Sequence, residues 1–212
     1  MGSNSSLAWF VDFDGTLINL DLGARFSDWI FASGRVSKLA PIIRILGAPL
    51  NYALRKLERG QLIRAWSWGL TDPEVQAVIS DFLVLIKPEI VLNKPLLERL
   101  RINDGSKKIL LTGCPQELVT AFLSQFGINE FDEVVGMTVF HNVIIKRHPF
   151  GRSKIGHTRG YGPFIAVGDS WQDRFILQLA TEAIIVPRVE RLEKLAIRSG
   201  WEFLPKGAIL WG

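Results

Sequence analysis

Asp12 and Asp14 stand one residue apart at the end of the apolar run Trp9-Phe10-Val11, and Gly15-Thr16-Leu17 follows at once. In extended backbone, residues i and i+2 project to the same side, so the two carboxylates can converge while the glycine turns the chain behind them. Two like charges held that close call for a cation or a shared proton. A solvated Asp-Gly turn is the other reading these residues leave open. Two further apolar runs end in similar fashion: Lys108 to Leu111 in Thr112-Gly113, and Phe164 to Val167 in Gly168-Asp169, with Asp173 a helical turn on. If the three runs lie side by side, several carboxylates and one hydroxyl face a single small volume. Hard oxygen donors in modest number suit Mg²⁺, which keeps waters and accepts a phosphate oxygen as a further ligand. The Thr112 hydroxyl and the first amides of a helix over 115–126 would donate to such a phosphate.

The elements that must position these residues follow from periodicity. Leu7 to Val11, Lys108 to Leu111, Glu133 to Val135, Phe164 to Val167 and Ala183 to Val186 read as strands. Helices are predicted over 95–103, 115–126, from 168–173 through Ala180, and over 188–198, with a hairpin over 138–146 turning at His141-Asn142. Strand and helix in alternation imply right-handed crossovers and a parallel sheet covered on both faces. Functional residues then gather beyond the carboxyl ends of the strands. Between Ile18 and about Asn93 the texture turns helical, with apolar spacings of three and four over 21–32, 36–46, 49–57 and 61–70, and a further helix from Pro73, capped by Asp72, to about Ile86. The expected division is therefore a core of residues 1–17 and 93–212 and an inserted helical domain of residues 18–92.

The chain has 212 residues, 48% of them hydrophobic and 22% charged, with one cysteine, Cys114. A single cysteine excludes an internal disulfide and a cysteine-based zinc site. No basic leader precedes the first strand, and no apolar stretch approaches the roughly 20 residues that span a bilayer, so a cytoplasmic protein is expected. The net charge of +4 is concentrated between Leu22 and Leu70, where Arg25, Arg35, Lys38, Arg44, Arg55, Lys56, Arg59 and Arg64 face only Asp28 and Glu58. With Trp29, Trp66 and Trp68 this segment could meet an anionic bilayer or form a small helical core. The cations are not interleaved in a nucleic-acid-binding pattern, so no nucleic-acid partner is expected. His141, His148 and His157 lack metal-ligand spacing and read as turn or surface residues, Cys114 reads as packing, and Trp9 and Trp171 are expected to pack around the site.

Asp12-Phe13-Asp14-Gly15-Thr16-Leu17, Leu110-Leu111-Thr112-Gly113, Lys154 and Gly168-Asp169-Ser170 with Asp173 resemble, in order, the four motifs of the haloacid dehalogenase-like superfamily. The resemblance covers residues 7 to 17 and about 94 to 190. It implies a three-layer α/β, Rossmann-like core, and the insertion resembles the helical C1-type cap of the phosphoserine phosphatase group. In that group Asp12 would be the nucleophile that forms an aspartyl phosphate, and Asp14 the general acid and base. Thr112, Gly113 and Lys154 would bind the phosphoryl group. Asp12, Asp14 through its backbone carbonyl, Asp169 and Asp173 would hold Mg²⁺. Lys146 is the alternative to Lys154, because only 14 residues separate Lys154 from Asp169. Asp21 could read a substrate amine or could simply begin a helix, and Arg25 is a possible substrate contact on the cap. The resemblance thus implies a Mg²⁺-dependent phosphomonoesterase acting on a small phosphorylated metabolite. The alternatives are a lipid or prenyl phosphate phosphatase at a membrane surface, or a non-enzymatic binding module.

Overall fold

The computed structural model describes residues 7–35, 72–102, 105–140, 144–147 and 149–204. Strand β1 (Ala8–Val11) is followed by helices α1 (Leu22–Ala32), α2 (Asp72–Ile86) and α3 (Lys94–Arg101), then β2 (Lys108–Pro115) and α4 (Gln116–Phe126). Strands β3 (Glu133–Phe140) and β4 (Ile144–Arg147) form a hairpin. A 3₁₀ helix (Gly151–His157) leads into β5 (Phe164–Gly168), α5 (Arg174–Leu177), β6 (Glu182–Ile185), α6 (Glu190–Ser199) and β7 (Glu202–Phe203). The sheet order is β4-β3-β2-β1-β5-β6-β7, with β3 through β7 by way of the centre all parallel and β4 antiparallel at one edge.

β1 is buried along its whole length, as a central parallel strand must be. Its side chains divide by the pleat: Trp9 and Val11 join one apolar cluster, Ala8 and Phe10 the other. Each face of the sheet is thus covered, which makes three layers. The first cluster also takes in Leu22, Phe26 and Ile30 of α1 and Ile79, Phe82, Leu83 and Ile86 of α2. The described helices of the insertion therefore share the core of the sheet. Trp29 lies against Phe26 and Phe82, with ring centroids 6.2 and 5.4 Å away, so this tryptophan serves packing. Helices expected over 36–46, 49–57 and 61–70, with Trp66 and Trp68, fall outside the described residues, as does the turn at 141–143.

The chain leaves and re-enters the core at one place, where Ile18 and Leu92 form an antiparallel bridge. Asn19 accepts from the Val91 amide through its side chain at 2.9 Å and donates to the Glu89 carbonyl. Asn93 donates to the Thr16 carbonyl at 3.0 Å, and its side-chain oxygen caps α3 by accepting from the Leu96 amide. The Val91 amide, the Thr16 carbonyl and the Leu96 amide, half-buried or buried, thus find side-chain partners.

Some boundaries differ from expectation. β2 continues to Pro115, because Leu111 faces Val135 and Pro115 faces Met137, so β2 uses two more residues than β3 over this interval and bulges at 112–114. The helix after Asp173 stops at Leu177, a single turn shorter than the periodicity through Ala180 predicts. No described helix is long and apolar enough to cross a membrane.

Candidate active site

The three central strands β2, β1 and β5 end side by side, with Val11 in register with Leu110 on one flank and Val167 on the other. Asp12 follows directly, its amide donating to the Val167 carbonyl at 3.0 Å. Asp12, Asp14, Thr112, Gly113, Lys154, Asp169 and Asp173 all line one cavity of about 760 Å³ at this edge. The alternation of β1 and the adjacency of three strands therefore bring together residues scattered over more than 160 positions.

Gly15 makes the turn after Asp14 possible in two ways. Its φ of 76° is in the left-handed region, and a Cβ there would overlap the Asp169 carboxylate and the Arg188 guanidinium. The turn is closed by the amides of Thr16, Leu17 and Ile18, which all donate to the Phe13 carbonyl. Thr16 is itself buried, and its hydroxyl lies 3.4 Å from Asp12 Oδ2 and 3.3 Å from Asp169 Oδ1. Asp14 Oδ1 accepts from the Leu22 amide at 2.8 Å, so the first turn of α1 orients this carboxylate.

Lys154 comes from the 3₁₀ helix, whose start is fixed by Ser153: its hydroxyl accepts from the Phe150 amide at 2.8 Å. The Lys154 ammonium sits 2.6 Å from Asp12 Oδ1 and 2.7 Å from Asp173 Oδ1. Lys146, the other lysine considered, belongs to the edge strand β4. Asp173 turns its second oxygen to Ser170, accepting from that residue's amide at 3.1 Å and from its hydroxyl. Thr112, on the bulge of β2, is almost wholly buried, and its hydroxyl oxygen accepts from the Cys114 amide at 3.1 Å.

Asp12, Asp169 and Asp173 each offer a carboxylate oxygen, all within 4.8 Å of one another. Among the described residues, four carboxylates with Asp14 face two cations at the cavity, Lys154 and Arg188, and the titration of the group reflects the deficit. Burial, together with the Asp173 charge, raises Asp12 to about 6 against the pull of Lys154. Burial raises Asp169 to about 8, with Asp12 and Asp173 adding to it and Arg188 and Lys154 opposing. Asp14 is held well above the ordinary carboxylate range by burial, then by Asp21 and Asp12, while the Leu22 amide works the other way. Burial would lower Lys154, but the Asp12 and Asp173 charges outweigh it and the ammonium is stabilised. An all-oxygen cluster short of positive charge fits a hard divalent cation.

Sequence reasoning missed Arg188, whose Nη1 lies 3.6 Å from Asp169 Oδ2 at the cavity wall. Nothing in Pro187-Arg188-Val189 marks it, and only the pairing of β6 with β5 brings it to Asp169. Asp21 lines the cavity, yet its Oδ1 caps α1 by accepting from the Ala24 amide at 2.7 Å. Arg25 is ion-paired with Glu89 and is not among the cavity residues. Nor are Trp9 and Trp171. Trp9 belongs to the core, and Trp171 is flanked by the guanidiniums of Arg174 and Arg191 at 4.5 and 3.8 Å. Cys114 is a buried thiol at the cavity edge.

A family model described as haloacid dehalogenase-like hydrolase matches residues 9–178. A protein of unknown function from Bordetella pertussis Tohama I has a similar structure, with a TM-score of 0.74 at 17% identity, over 93% of this chain and 97% of that one. A phosphoserine phosphohydrolase-like protein from Francisella tularensis subsp. tularensis SCHU S4 gives 0.55 at 19% identity, over 97% and 98% of the two chains. A phosphoserine phosphatase in apo form gives 0.54 at 15% identity, over 90% of each. At these identities the likeness is one of fold. Comparison with curated proteins returned no match.

Proposed function

The chain belongs to the haloacid dehalogenase-like hydrolase family, and on that premise we propose that it is a Mg²⁺-dependent phosphomonoesterase acting on a small organic phosphate. The observation that carries this reading is the convergence of Asp12, Asp14, Lys154, Asp169 and Asp173 on one cavity at the carboxyl edge of the sheet. Asp12 is the nucleophile. Its carboxylate oxygen forms a bond to phosphorus as the bond to the ester oxygen breaks, leaving an aspartyl phosphate. Lys154, in contact with Asp12, keeps that carboxylate ionised and meets the phosphoryl charge. Asp14 is held above the ordinary carboxylate range, so it carries the proton that the leaving alkoxide takes up. In the second half, water attacks phosphorus, Asp14 receives its proton, and Asp12 is released with inorganic phosphate.

Asp12, Asp169 and Asp173, with the backbone carbonyl of Asp14, would hold Mg²⁺. When bound, the ion neutralises charge on the nucleophile and on the phosphoryl oxygens. Thr112 and Gly113 would bind the remaining phosphoryl oxygens. Residues 18–92 act as the cap over the core formed by 1–17 and 93–212, excluding water and choosing the leaving group.

The test is hydrolysis of a panel of phosphomonoesters with and without Mg²⁺, together with Asp12→Asn. Turnover that needs Mg²⁺ and falls by about 10⁴-fold in the variant is expected. Substantial turnover by Asp12→Asn, or failure to trap phosphate on the wild-type chain, removes the assignment.

A further inference from the structure

Seven large apolar side chains are exposed among the described residues, and two of them, Phe150 and Val189, stand on the wall of the candidate active site. Phe150 is 39% exposed and Val189 37% exposed. Neither occupies a frayed segment. The Phe150 carbonyl accepts from the Ser153 amide at 3.1 Å and from the Ser153 hydroxyl at 2.8 Å, four residues before Lys154 in the same turn. Val189 caps α6, its carbonyl accepting from the amides of Leu192 at 2.9 Å and Glu193 at 3.0 Å. Two apolar side chains are thus held at the cavity by backbone that is itself fixed. Ala24 of α1 and Pro115 at the end of β2 extend the same apolar lining.

The charged groups of the cavity are arranged differently. At the phosphoryl end Lys154 pairs with Asp12 and Asp173, Asp14 accepts from the Leu22 amide, and Asp169 meets the Thr16 hydroxyl. Arg188 faces Asp169 at 3.6 Å, and Asp21 has one oxygen on the Ala24 amide. Among the described residues that line the cavity, Arg188 and Asp21 are the charged groups beyond the phosphoryl end, and a zwitterionic leaving group would have to draw its partners from these two. Arg25, the cation nearest to hand in sequence, is turned to Glu89 instead. Apolar surface held at a binding cavity gains free energy only when apolar surface covers it.

We propose that the leaving group accepted here is an uncharged apolar alcohol, aryl-methyl or branched alkyl, seated against Phe150 and Val189. The proposal rests on the phosphomonoesterase reading and narrows it to one substrate class. Benzyl phosphate, ethyl phosphate and O-phosphoserine are monoesters of primary alcohols and separate the two questions. With the full chain and Mg²⁺, kcat/KM for benzyl phosphate is expected to exceed that for each of the others by about tenfold or more. In Phe150→Ala the benzyl-to-ethyl ratio drops by about tenfold, and Phe150→Leu restores part of it. Val189→Ser lowers the same ratio without touching the 3₁₀ helix. Turnover of all three esters with no benzyl preference, or a ratio unmoved by either position, overturns the proposal alone. If none of the three is hydrolysed while another ester of the panel is, this proposal falls alone; if no ester of the panel is hydrolysed, the phosphatase reading falls with it.

Discussion

Lys154 and Asp12, 142 residues apart in the chain, form an ion pair of 2.6 Å with side chains only 4% and 12% exposed. The same ammonium reaches Asp173 at 2.7 Å, so one cation serves two carboxylates drawn from different strand ends.

Removing that cation strands two buried carboxylates. Lys154→Met should lose about 3–5 kcal/mol of folding stability, the usual cost of breaking a buried pair from one side. A divalent ion held by Asp12, Asp169 and Asp173 would offset part of the loss, so urea denaturation should show a smaller deficit in Mg²⁺ than in EDTA. Equal stability of variant and wild type in EDTA would mean that the pair contributes nothing to the fold.

Asp12 at about 6 and Asp169 at about 8 both lie above the ordinary value of 3.8. Without metal, the folded chain holds protons that the unfolded chain has released, so the contribution of these groups to stability declines as pH rises through this window. A divalent cation needs the carboxylates ionised and must displace those protons. Calorimetric titration should therefore show Mg²⁺ binding strengthening from pH 6 to 8, with fewer protons released at the upper end. Asp169→Asn should flatten the metal-free decline. An affinity independent of pH over this interval would contradict the protonation of Asp169.

Two glycines separate backbone strain from crowding. Gly15 and Gly34 have similar φ, 76° and 67°, but a Cβ at Gly34 meets open space while one at Gly15 meets Asp169 and Arg188. Gly34→Ala should cost about 1 kcal/mol. Gly15→Ala should cost roughly 2–3 kcal/mol and also weaken Mg²⁺ binding. Thermal melts together with metal titration check both parts, and equal costs at the two positions would refute the crowding.

Arg188 and a divalent ion compete for the Asp169 carboxylate. Arg188→Gln removes the guanidinium and its charge, so Mg²⁺ should bind about threefold to tenfold more tightly. Isothermal titration reads this directly. Weaker binding would show that Arg188 supports the metal site instead of opposing it.

The residues that announce themselves locally are those whose chemistry is set by neighbours in sequence. Asp12 and Asp14 follow a buried strand, Asp169 follows another, and a glycine marks each turn, so strand, turn and carboxylate are read together. Asp21 could be read either as a ligand or as a helix start, and the Ala24 amide uses it as a cap. Arg188 could not be found this way, because its place beside Asp169 depends on β6 pairing with β5 and on a glycine at position 15 that leaves room. The bulge at 112–114 was also invisible, since it is a shift in the register of β2 against β3 between Leu111 and Pro115, which only the pairing of the two strands reveals. Helix α5 ends at Leu177, although the Gln178 and Ala180 amides still donate to the Arg174 and Ile176 carbonyls as the chain turns toward β6.

Ile18 and Leu92 meet as the chain departs from and rejoins the sheet, with Asn19 and Asn93 fastening the two arms. An excursion whose ends touch can be exchanged as a cassette without shifting any strand. The conditions on a replacement are few: it must retain the apolar faces that Phe26 and Phe82 present to the common core, and it must return an amide to Asp14 where Leu22 now does. Within those limits the excursion can change while the strand ends that carry Asp12 and Asp169 stay where they are.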